Sequence, residues 1–306
     1  VTPNMDIVSK RRYFLSVSTV LALLSITILV IEGLNLGIDF TSGTTITYQL
    51  SDTSIQTGDV TDALFASGHP EAIVQALGDD QFFIRTDDLG VAGLDDVKEE
   101  VEKIDSKARV LDTSTVGSSV AEDTVRNAIT AVIVAAIFVM IYIMYAFRSV
   151  PNSYKYAFAA LVALGHDVLV VLGLFAALGI AINAEVNAIF IVGILTVIGY
   201  SVNDTIVIFD RIRENVTLAP GREFRSTVNL SINESVTRSL GTSITTMTVI
   251  IAMLLFGGAT LRDFLIVLLL GVLIGTYSSI FISAQVLVLW EKRSFLPWRK
   301  ATVANS

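Results

Sequence analysis

The chain has 306 residues, of which 53% are hydrophobic and only 16% are charged, and its formal net charge is −8. Soluble domains contain roughly 45–50% apolar and about 25% charged residues, so this composition favours a membrane protein. The absence of cysteine excludes disulfides, thiolate catalysis and cysteine-based metal sites, and the two histidines leave little for a metal cluster. We therefore expect neither a cofactor nor a resident metal.

Six long apolar blocks follow one another along the chain, with almost no charge inside them. At about 1.5 Å per residue each block is long enough, as a helix, to cross the hydrocarbon layer. None of the five prolines lies inside a block, so six uninterrupted transmembrane helices are predicted, and with them an α-helical polytopic membrane protein. The predicted spans are Tyr13–Ile31, Ala128–Phe147, Tyr156–Ile182, Val186–Phe209, a span from Asn229 or later to Phe256, and Phe264–Trp290.

The orientation of these helices follows from four clusters of Lys and Arg, which all fall on one side of an even-numbered bundle. Basic residues favour the cytoplasmic side, so we expect a multi-pass protein of the cell membrane with both termini in the cytoplasm. The clusters are Lys10 to Arg12; Arg148 and Lys155; Arg211, Arg213, Arg222 and Arg225; and Lys292, Arg293, Arg299 and Lys300. The predicted regions are the N-terminus and first helix at 1–33, an extracytoplasmic domain at 34–124, helices two to six at 125–290 with a cytoplasmic loop at 210–228, and a cytoplasmic tail at 291–306.

The long connection between the first two helices is predicted to fold as a small domain outside the membrane. It carries 18 acidic and 5 basic residues, but long segments cross a membrane largely regardless of their charge. The element order βαββαβ is typical of a ferredoxin-like α+β domain. No nucleophile and base are paired within it, so binding or mechanical work fits it better than catalysis. The predicted elements are strands Thr44–Leu50, Ala72–Leu77, Gln81–Arg85 and Arg109–Leu111, helices Asp59–Ala66 and Leu94–Ile104, and a turn at Gly78, Asp79 and Asp80.

Few charged residues lie inside the predicted spans, and each is a functional candidate because a charge in the hydrocarbon zone costs about 2.5–3.5 kcal/mol or more. His166 and Asp167 lie near the middle of the third span, and Asn203 and Asp204 lie near the cytoplasmic end of the fourth. Arg238 begins the apolar part of the fifth span. Because the fourth and fifth spans run antiparallel, Asp204 and Arg238 are expected in the same half of the membrane, where they can meet.

Helical spacing groups these residues with other polar side chains into three stripes. Two interpretations remain open. In the first, Asp204 carries a proton or binds an ion, and movements of Arg238 load or release it. In the second, Asp204 and Arg238 form a static buried ion pair, and the hydroxyl groups only hold helices together. The stripes are Thr196, Tyr200, Asn203 and Asp204 on the fourth span; Arg238, Thr242, Thr245 and Thr246 on the fifth; and Thr276, Ser279 and Ser283 on the sixth.

The neighbours His166 and Asp167 are a separate candidate pair. Adjacent residues on a helix point about 100° apart, so the two are not expected to face one cavity together. The full set of candidate ion-coupling residues is Asp204, Arg238, Asn203, Asp167, His166 and Tyr200.

Signatures of several enzyme and binding classes are missing from the sequence. It contains no GxxxxGK[ST], HExxH or GxSxG pattern, so ATP binding through a P-loop, zinc proteolysis and serine hydrolysis are not indicated. The basic residues are not interleaved with aromatic ones, which gives no indication of nucleic-acid binding. Anionic lipid headgroups are their default partners. The sequence therefore predicts a protein that is not an enzyme.

One stretch of the fourth span, GYSVNDTIVIFDRIREN from Gly199 to Asn215, resembles the signature of the SecF family, subunits of the SecD–SecF complex of protein export. The likeness extends to NESVTRSL at 233–240, to TSITT at 242–246, to the His-Asp pair of the third span, and to GIDF at 37–40.

The family's outer motif usually reads Asp-Phe-any-Gly-Gly, whereas Ser42 precedes Gly43 here. If this position requires a positive φ, the serine would be strained. A second departure is VGSS at 116–119, where the family often has Val-Gly-Pro.

The resemblance implies half of an RND-superfamily transporter, completed by SecD. It further implies a non-enzymatic subunit that, with SecD, uses the proton or sodium gradient in late steps of preprotein translocation through the Sec channel. Asp204 and Arg238 match ion-pathway residues of the family. The expected partners are SecD, the SecYE(G) translocon, the translocating preprotein and the lipid bilayer, with no nucleic acid. The residues of the outer motif, expected to act as a hinge, are Gly37, Asp39, Phe40 and Gly43.

Two other functions remain open. The chain is either one half of an RND-type exporter of a small molecule or lipid, or a structural scaffold without ion coupling. Transport of a defined solute without SecD or SecY would favour the exporter. Equal activity of a variant that lacks both Asp204 and Arg238 would favour the scaffold.

Overall fold

In the computed structural model the chain divides into two compact units, which we call the helical unit and the sheet unit. The helical unit comprises Val1–Asn35, Thr130–Ala184 and Ile189–Ser306, and the sheet unit comprises Leu36–Ile129 and Glu185–Ala188. The structure describes residues 5–52, 54–77, 80–87, 90–150, 152–258 and 261–294, with backbone alone at 90–92 and 291–294. Gly78 and Asp79 of the predicted turn, Arg299 and Lys300 of the tail, and the side chains of Lys292 and Arg293 lie outside this description.

Helices and short strands alternate in the first part of the chain, and long helices make up the rest. A five-residue π-helical segment, Ser279–Ser283, separates the last two helices. The elements in chain order are α1 Arg11–Ile31, α2 Ile38–Thr41, β1 Gly43–Gln49, α3 Thr57–Ala66, β2 Ile73–Ala76, β3 Gln81–Thr86, α4 Gly90–Ile104, β4 Arg109–Val116, α5 Ser118–Ala146, α6 Ser153–Ile182, α7 Ala188–Leu218, α8 Phe224–Phe256, α9 Arg262–Ser278 and α10 Ala284–Ser294.

Within the described residues, six helical stretches are long and apolar enough to cross a membrane. They are α1, α5, α6, α7, α8 and the stretch Arg262–Trp290, which combines α9, the π-helical segment and most of α10. The predicted class and number of spans are therefore confirmed. The sixth span is one continuous helical stretch, as predicted, but five residues within it have the wider hydrogen-bond pattern of a π-helix.

The largest extensions beyond the predicted ends occur in two helices. α5 begins at Ser118 rather than at Ala128, and α7 ends at Leu218 rather than at Phe209. The loop predicted at 210–228 is consequently reduced to residues 219–223. Hydropathy marks only the apolar part of a helix, whereas ion pairs between residues three apart support further polar turns of α7. These pairs are Arg211 with Glu214 and Arg213 with Asp210.

The sheet unit contains four strands in the order β2-β3-β1-β4, and every neighbouring pair is antiparallel. β1 and β2 therefore run parallel to each other with β3 between them, which is the split βαβ arrangement of a ferredoxin-like fold. The predicted order βαββαβ is confirmed. β4 is longer than predicted because its pairing with β1 continues to the pair Gly43 and Val116, through polar residues that lack an apolar alternation.

One face of the sheet forms a hydrophobic core with α3 and α4. Side chains alternate between the two faces of a strand, and every second residue of β1 and β3 is buried. The core contains Ile46, Tyr48, Leu50, Val60, Leu64, Phe82, Ile84, Val97 and Val101. The helical unit is most buried along α6, α7 and α9, whereas α1, α5 and α8 expose most of their surface.

Candidate functional site

Two carboxylates are buried among the long helices of the helical unit. Asp167 on α6 has an exposed fraction of 0%, and Asp204 on α7 has one of 2%. A carboxylate in an apolar environment requires hydrogen-bonding partners from the protein, because neither lipid nor packed side chains replace its water. Both residues are candidates that the sequence singled out.

Asp167 joins three helices through its hydrogen bonds. Its Oδ2 atom accepts a bond of 2.6 Å from Ser201 Oγ on α7 and another of 2.6 Å from Ser278 Oγ on α9. Its Oδ1 atom lies 3.3 Å from Nδ1 of the neighbouring His166. The two neighbouring side chains therefore contact each other although adjacent residues on a helix point about 100° apart, and the expectation that they do not face one cavity stays a prediction. The Nε2 atom of His166 is buried without a partner among the described residues.

Asp204 lies among hydroxyl groups from α7, α8 and α9. Its Oδ2 atom is 3.4 Å from Ser243 Oγ on α8. Ser243 Oγ is also 2.6 Å from Thr276 Oγ1 on α9 and accepts a hydrogen bond of 3.3 Å from the hydroxyl of Tyr200 on α7. The predicted candidates Tyr200 and Asp204 are thus brought to the same cluster.

A third set of hydroxyl groups joins the π-helical segment to the turn of α7 that carries Asp204. Ser279 Oγ, at the start of the π-helical segment, donates to the carbonyl oxygen of Ser201 at 3.1 Å and lies 2.9 Å from Thr205 Oγ1. π-Helical turns redirect side chains within a helix and recur at functional sites. The π-helical segment therefore places a hydroxyl against α7, beside both carboxylate clusters.

Only some residues of the polar stripes predicted for the fifth and sixth spans contact the carboxylate clusters. Thr276 and Ser279 reach it, whereas Ser283 donates to the carbonyl oxygen of Ser279 on its own helix. On α8, Thr245 and Thr246 donate to backbone carbonyl oxygens of α8 itself. These bonds lie within single helices and do not hold neighbouring helices together, so the carboxylate clusters are the more specific feature.

The structure does not bring Arg238 to Asp204. The Arg238 side chain is exposed, and among the described residues it forms no ion pair. Ser243 is the side chain of α8 that lies against Asp204, whereas Arg238 precedes it by more than one helical turn. Asn203 is exposed as well. The static buried ion pair, one of the two interpretations left open by the sequence, is therefore not found in the part of the chain that the structure describes.

The predicted outer motif lies in the sheet unit and is hydrogen-bonded to the short connection between α6 and α7. The amide nitrogen of Gly37 donates to the carbonyl oxygen of Val186 at 2.8 Å. Asp39 Oδ2 accepts a bond of 2.8 Å from the amide nitrogen of Ala188. Phe40 is half-buried in α2. The motif thus makes specific contacts within this unit.

Ser42 and Gly43 both have positive φ angles at the turn into β1. Ser42 has φ 64° and ψ 167°, a combination that is essentially restricted to glycine. Gly43 has φ 132°, and a Cβ atom there would lie 2.5 Å from the carbonyl oxygen of Thr86. The serine that departs from the family's outer motif therefore occupies a strained position.

Sequence reasoning did not identify Ser201, Ser243 and Ser278 as partners of the carboxylates. The spacing in the sequence could have indicated Ser201, because it precedes Asp204 by three residues and so lies on the same face of the helix. Ser278 lies off the predicted stripe of the sixth span. Because α9 is buried on more than one side, Ser278 reaches Asp167 while Thr276 reaches Ser243, and a single amphipathic stripe does not describe it.

The arrangement is suited to the uptake and release of a proton or the binding of a small cation. Hydroxyl groups donate to an ionised carboxylate and accept from a protonated one, so the same neighbours are compatible with both states. Within the described ranges, no group of three or more histidine, aspartate and glutamate side chains could hold a metal ion.

Comparison with known proteins places the chain among protein-export membrane proteins. The family described as "Protein export membrane protein SecD/SecF, C-terminal" matches residues 96–293, and the "SecD/SecF GG Motif" matches residues 27–54. The protein translocase subunit SecF of Thermobaculum terrenum is 37% identical over 95% of this chain and 96% of its own length. The SecDF of Bacillus subtilis is 36% identical over 94% of this chain and 38% of its own length.

A solved structure has the same fold. The crystal structure of SecDF from Thermus thermophilus superposes with a TM-score of 0.84 at 33% identity, covering 95% of this chain and 39% of that chain. This chain therefore spans about two fifths of that SecDF. The six spans, the inserted α+β unit and the polar cluster between helices define a polytopic membrane protein with an RND-type fold. The chain belongs to the SecF family, whose members it matches over nearly their whole length.

Proposed function

We propose that the protein acts as a SecF-type subunit that, together with SecD, couples an ion gradient to late steps of preprotein translocation through the Sec channel. The role in translocation is supported by relatives named protein translocase subunits and by a SecDF described as translocon-associated. The observation that carries the ion coupling is Asp204, a buried carboxylate inside a membrane helix whose nearest polar partners are hydroxyl groups. The protein acts without enzymatic chemistry of its own.

The environment of Asp204 supports a change of charge during the cycle. An ion pair would hold a carboxylate ionised, whereas the hydroxyl of Ser243 accommodates either state. Buried acidic residues of this kind form proton relays in pumps and transporters. A membrane potential provides about 2.3 kcal/mol for each elementary charge per 100 mV, which is sufficient to bias the conformation of a domain.

Asp167 acts as the second carboxylate of the pathway, and His166 is its immediate partner. Because Asp167 accepts bonds from Ser201 and Ser278 on two other helices, a change in its charge would alter how α6, α7 and α9 are held together. Ser279 then links this cluster to the turn of α7 that carries Asp204.

The exposed polar face of α7 and α8 supports a SecD-type partner. Asn203, Arg238, Thr242 and Thr245 are exposed although they lie in candidate membrane spans. Ionisable side chains of membrane helices almost always face a bundle interior or a water-filled cavity, so the exposed Arg238 indicates a surface that a partner covers. In SecDF of Bacillus subtilis the matched region is 38% of a longer chain, which is consistent with a partner that supplies the remaining helices.

The proposed location is the cell membrane, with both termini in the cytoplasm and the sheet unit outside. The distribution of Lys and Arg supports this orientation. In this arrangement the sheet unit meets the preprotein as it emerges from the SecYE(G) channel. Its element order and core provide a compact body that can move as a whole.

The test of this function is Asp204→Asn. The amide keeps the size of the side chain but cannot gain or lose a charge, so the variant should abolish gradient-dependent stimulation of export while it still assembles with SecD. Export is measured in membrane vesicles with the gradient intact and collapsed. Asp210→Asn is the matched control, because Asp210 lies on the same helix but is exposed and pairs with Arg213. A normal response of Asp204→Asn to collapse of the gradient would disprove the coupling role.

A further inference from the structure

The second part of the connection between α6 and α7 belongs to the sheet unit. The four residues Glu185–Ala188 cluster with Leu36–Ile129. Val186 forms a parallel β-bridge with Leu36 and accepts a hydrogen bond from the amide of Gly37. Two membrane helices are thus joined by a segment that is bonded to the chain entering the outer sheet.

A partly buried ion pair strengthens this attachment. Arg85 Nη1, on β3, donates to Glu185 Oε1 at 2.9 Å and to the carbonyl oxygen of Leu36 at 2.8 Å. The side chains of Arg85 and Glu185 are only 17% and 14% exposed. A charge-assisted hydrogen bond in such a shielded position is stronger than an ion pair on the surface. One guanidinium group therefore holds both sides of the β-bridge.

Asp39 attaches the start of α7 to the same unit. Ala188 is the first residue of α7, and its amide nitrogen donates to Asp39 Oδ2 at 2.8 Å. The first amide groups of a helix have no partner within the helix, and a carboxylate at this end also interacts favourably with the helix dipole. Asp39 therefore caps the helix that carries Asp204, although it lies far from that helix in the sequence.

A side chain at position 37 would be packed tightly against the attachment. A Cβ atom on Gly37 would lie 3.3 Å from the carbonyl oxygen of Val186 and 3.4 Å from Glu185 Oε2. Close approach of the backbone, and not an unusual φ angle, therefore explains the glycine of the outer motif.

We propose that Asp39, Arg85 and Glu185 form a clasp that fixes the start of α7 to the sheet unit, and that they are positioning residues for energy coupling. The inference rests on the proposed function of Asp204. α7 has its first residue in the sheet unit and the rest, including Asp204, in the helical unit. Displacement of this helix would therefore be passed to the sheet unit through the clasp, and not through a flexible hinge at 37–43.

A charge exchange tests the clasp in the full chain assembled with SecD. Arg85→Glu and Glu185→Arg each place like charges together and should lose the gradient-dependent part of export. The double exchange should restore it in part, because the ion pair forms again but the hydrogen bond to the Leu36 carbonyl oxygen does not. Ion flux through the complex should persist in Arg85→Glu and disappear in Asp204→Asn. If both single variants export as well as the wild type, or if the double exchange restores nothing, the clasp does not exist. Gradient-driven export by Asp204→Asn would instead overturn the proposed function itself.

Two further sets of variants separate a coupling role from a purely structural one. Asp39→Asn keeps an oxygen acceptor for the Ala188 amide and should retain gradient-dependent export, whereas Asp39→Ala should lose it. The chain has no cysteine, so Leu36→Cys with Val186→Cys introduces one defined disulfide across the β-bridge. In an Arg85→Glu background, oxidation should restore export and reduction should remove it again. Failure of the formed disulfide to restore export would overturn the proposal.

Discussion

Ser42 introduces backbone strain into the turn between α2 and β1. It follows α2 and precedes β1, where the chain needs two successive residues with positive φ. Gly43 meets this need without a penalty, whereas Ser42 adopts φ 64° and ψ 167° against the preference of its side chain. Conformations of this kind cost of order 1–3 kcal/mol and persist only when surrounding contacts enforce them.

Replacement of this serine should therefore stabilise the sheet unit. Ser42→Gly removes the strain and increases the freedom of the unfolded chain, and we expect a net gain of about 1 kcal/mol. Hydrogen exchange of the β1 and β3 amides in the full chain measures this local stability. Gly43→Ala is the opposing control, because its Cβ would lie 2.5 Å from the Thr86 carbonyl oxygen, and it should accelerate exchange. Faster exchange in Ser42→Gly would contradict the account of strain.

At the level of whole elements, α1 and α6 approach each other where both carry a small residue. Gly173 on α6 faces Ser25 on α1, and a Cβ atom on Gly173 would lie 2.5 Å from the Cα of Ser25. Membrane helices associate largely through close packing of small residues, since lipid offers no hydrophobic drive for their contact. The glycine therefore sets the distance between the two helices.

A pair of glycine substitutions on the same helix tests this contact. Gly173→Ala should destabilise the helical unit by about 1–3 kcal/mol, because the backbone of α1 has to move away. Gly165→Ala should be neutral or slightly stabilising, since no atom lies within 4 Å of its added Cβ and alanine favours a helix by up to about 1 kcal/mol. Unfolding in detergent, followed by circular dichroism, measures both. An equal loss in the two variants would rule out the packing explanation.

The π-helical segment is the second feature at this scale. It allows consecutive residues of one span to serve different neighbours, since Ser278 reaches Asp167 on α6 while Ser279 reaches α7. Its residues, Ser-Ile-Phe-Ile-Ser, include neither proline nor glycine. The conformational preferences of these residues therefore do not indicate a π-helical turn. The turn is instead supported by hydrogen bonds of the serine hydroxyl groups to partners on α6 and α7.

For the whole molecule, the proposed SecD-type partner makes a prediction about accessibility. Thr242 is exposed on the polar face of α8, and a Thr242→Cys variant would contain the sole thiol of the chain. In detergent this thiol should react with a maleimide in the isolated chain and become protected when SecD is present. Ile137→Cys, on the exposed apolar side of α5, is the control and should react equally in both samples. Equal labelling of Thr242→Cys with and without SecD would place the partner elsewhere.

The sequence by itself determined the class of protein, the number of spans, the order βαββαβ and the two carboxylates Asp167 and Asp204. These features depend on local properties. Hydropathy and periodicity are carried by neighbouring residues, and a charge within an apolar helix is costly whatever lies around it.

The tertiary structure decided which side chains meet. It separated Arg238 from Asp204, selected Ser201, Ser243 and Ser278 as partners of the carboxylates, and bonded the α6–α7 connection to the sheet unit. These contacts join residues far apart in the chain. They depend on the rotation of each helix about its axis and on the path of short connections, which packing of the whole molecule sets and which no local pattern encodes.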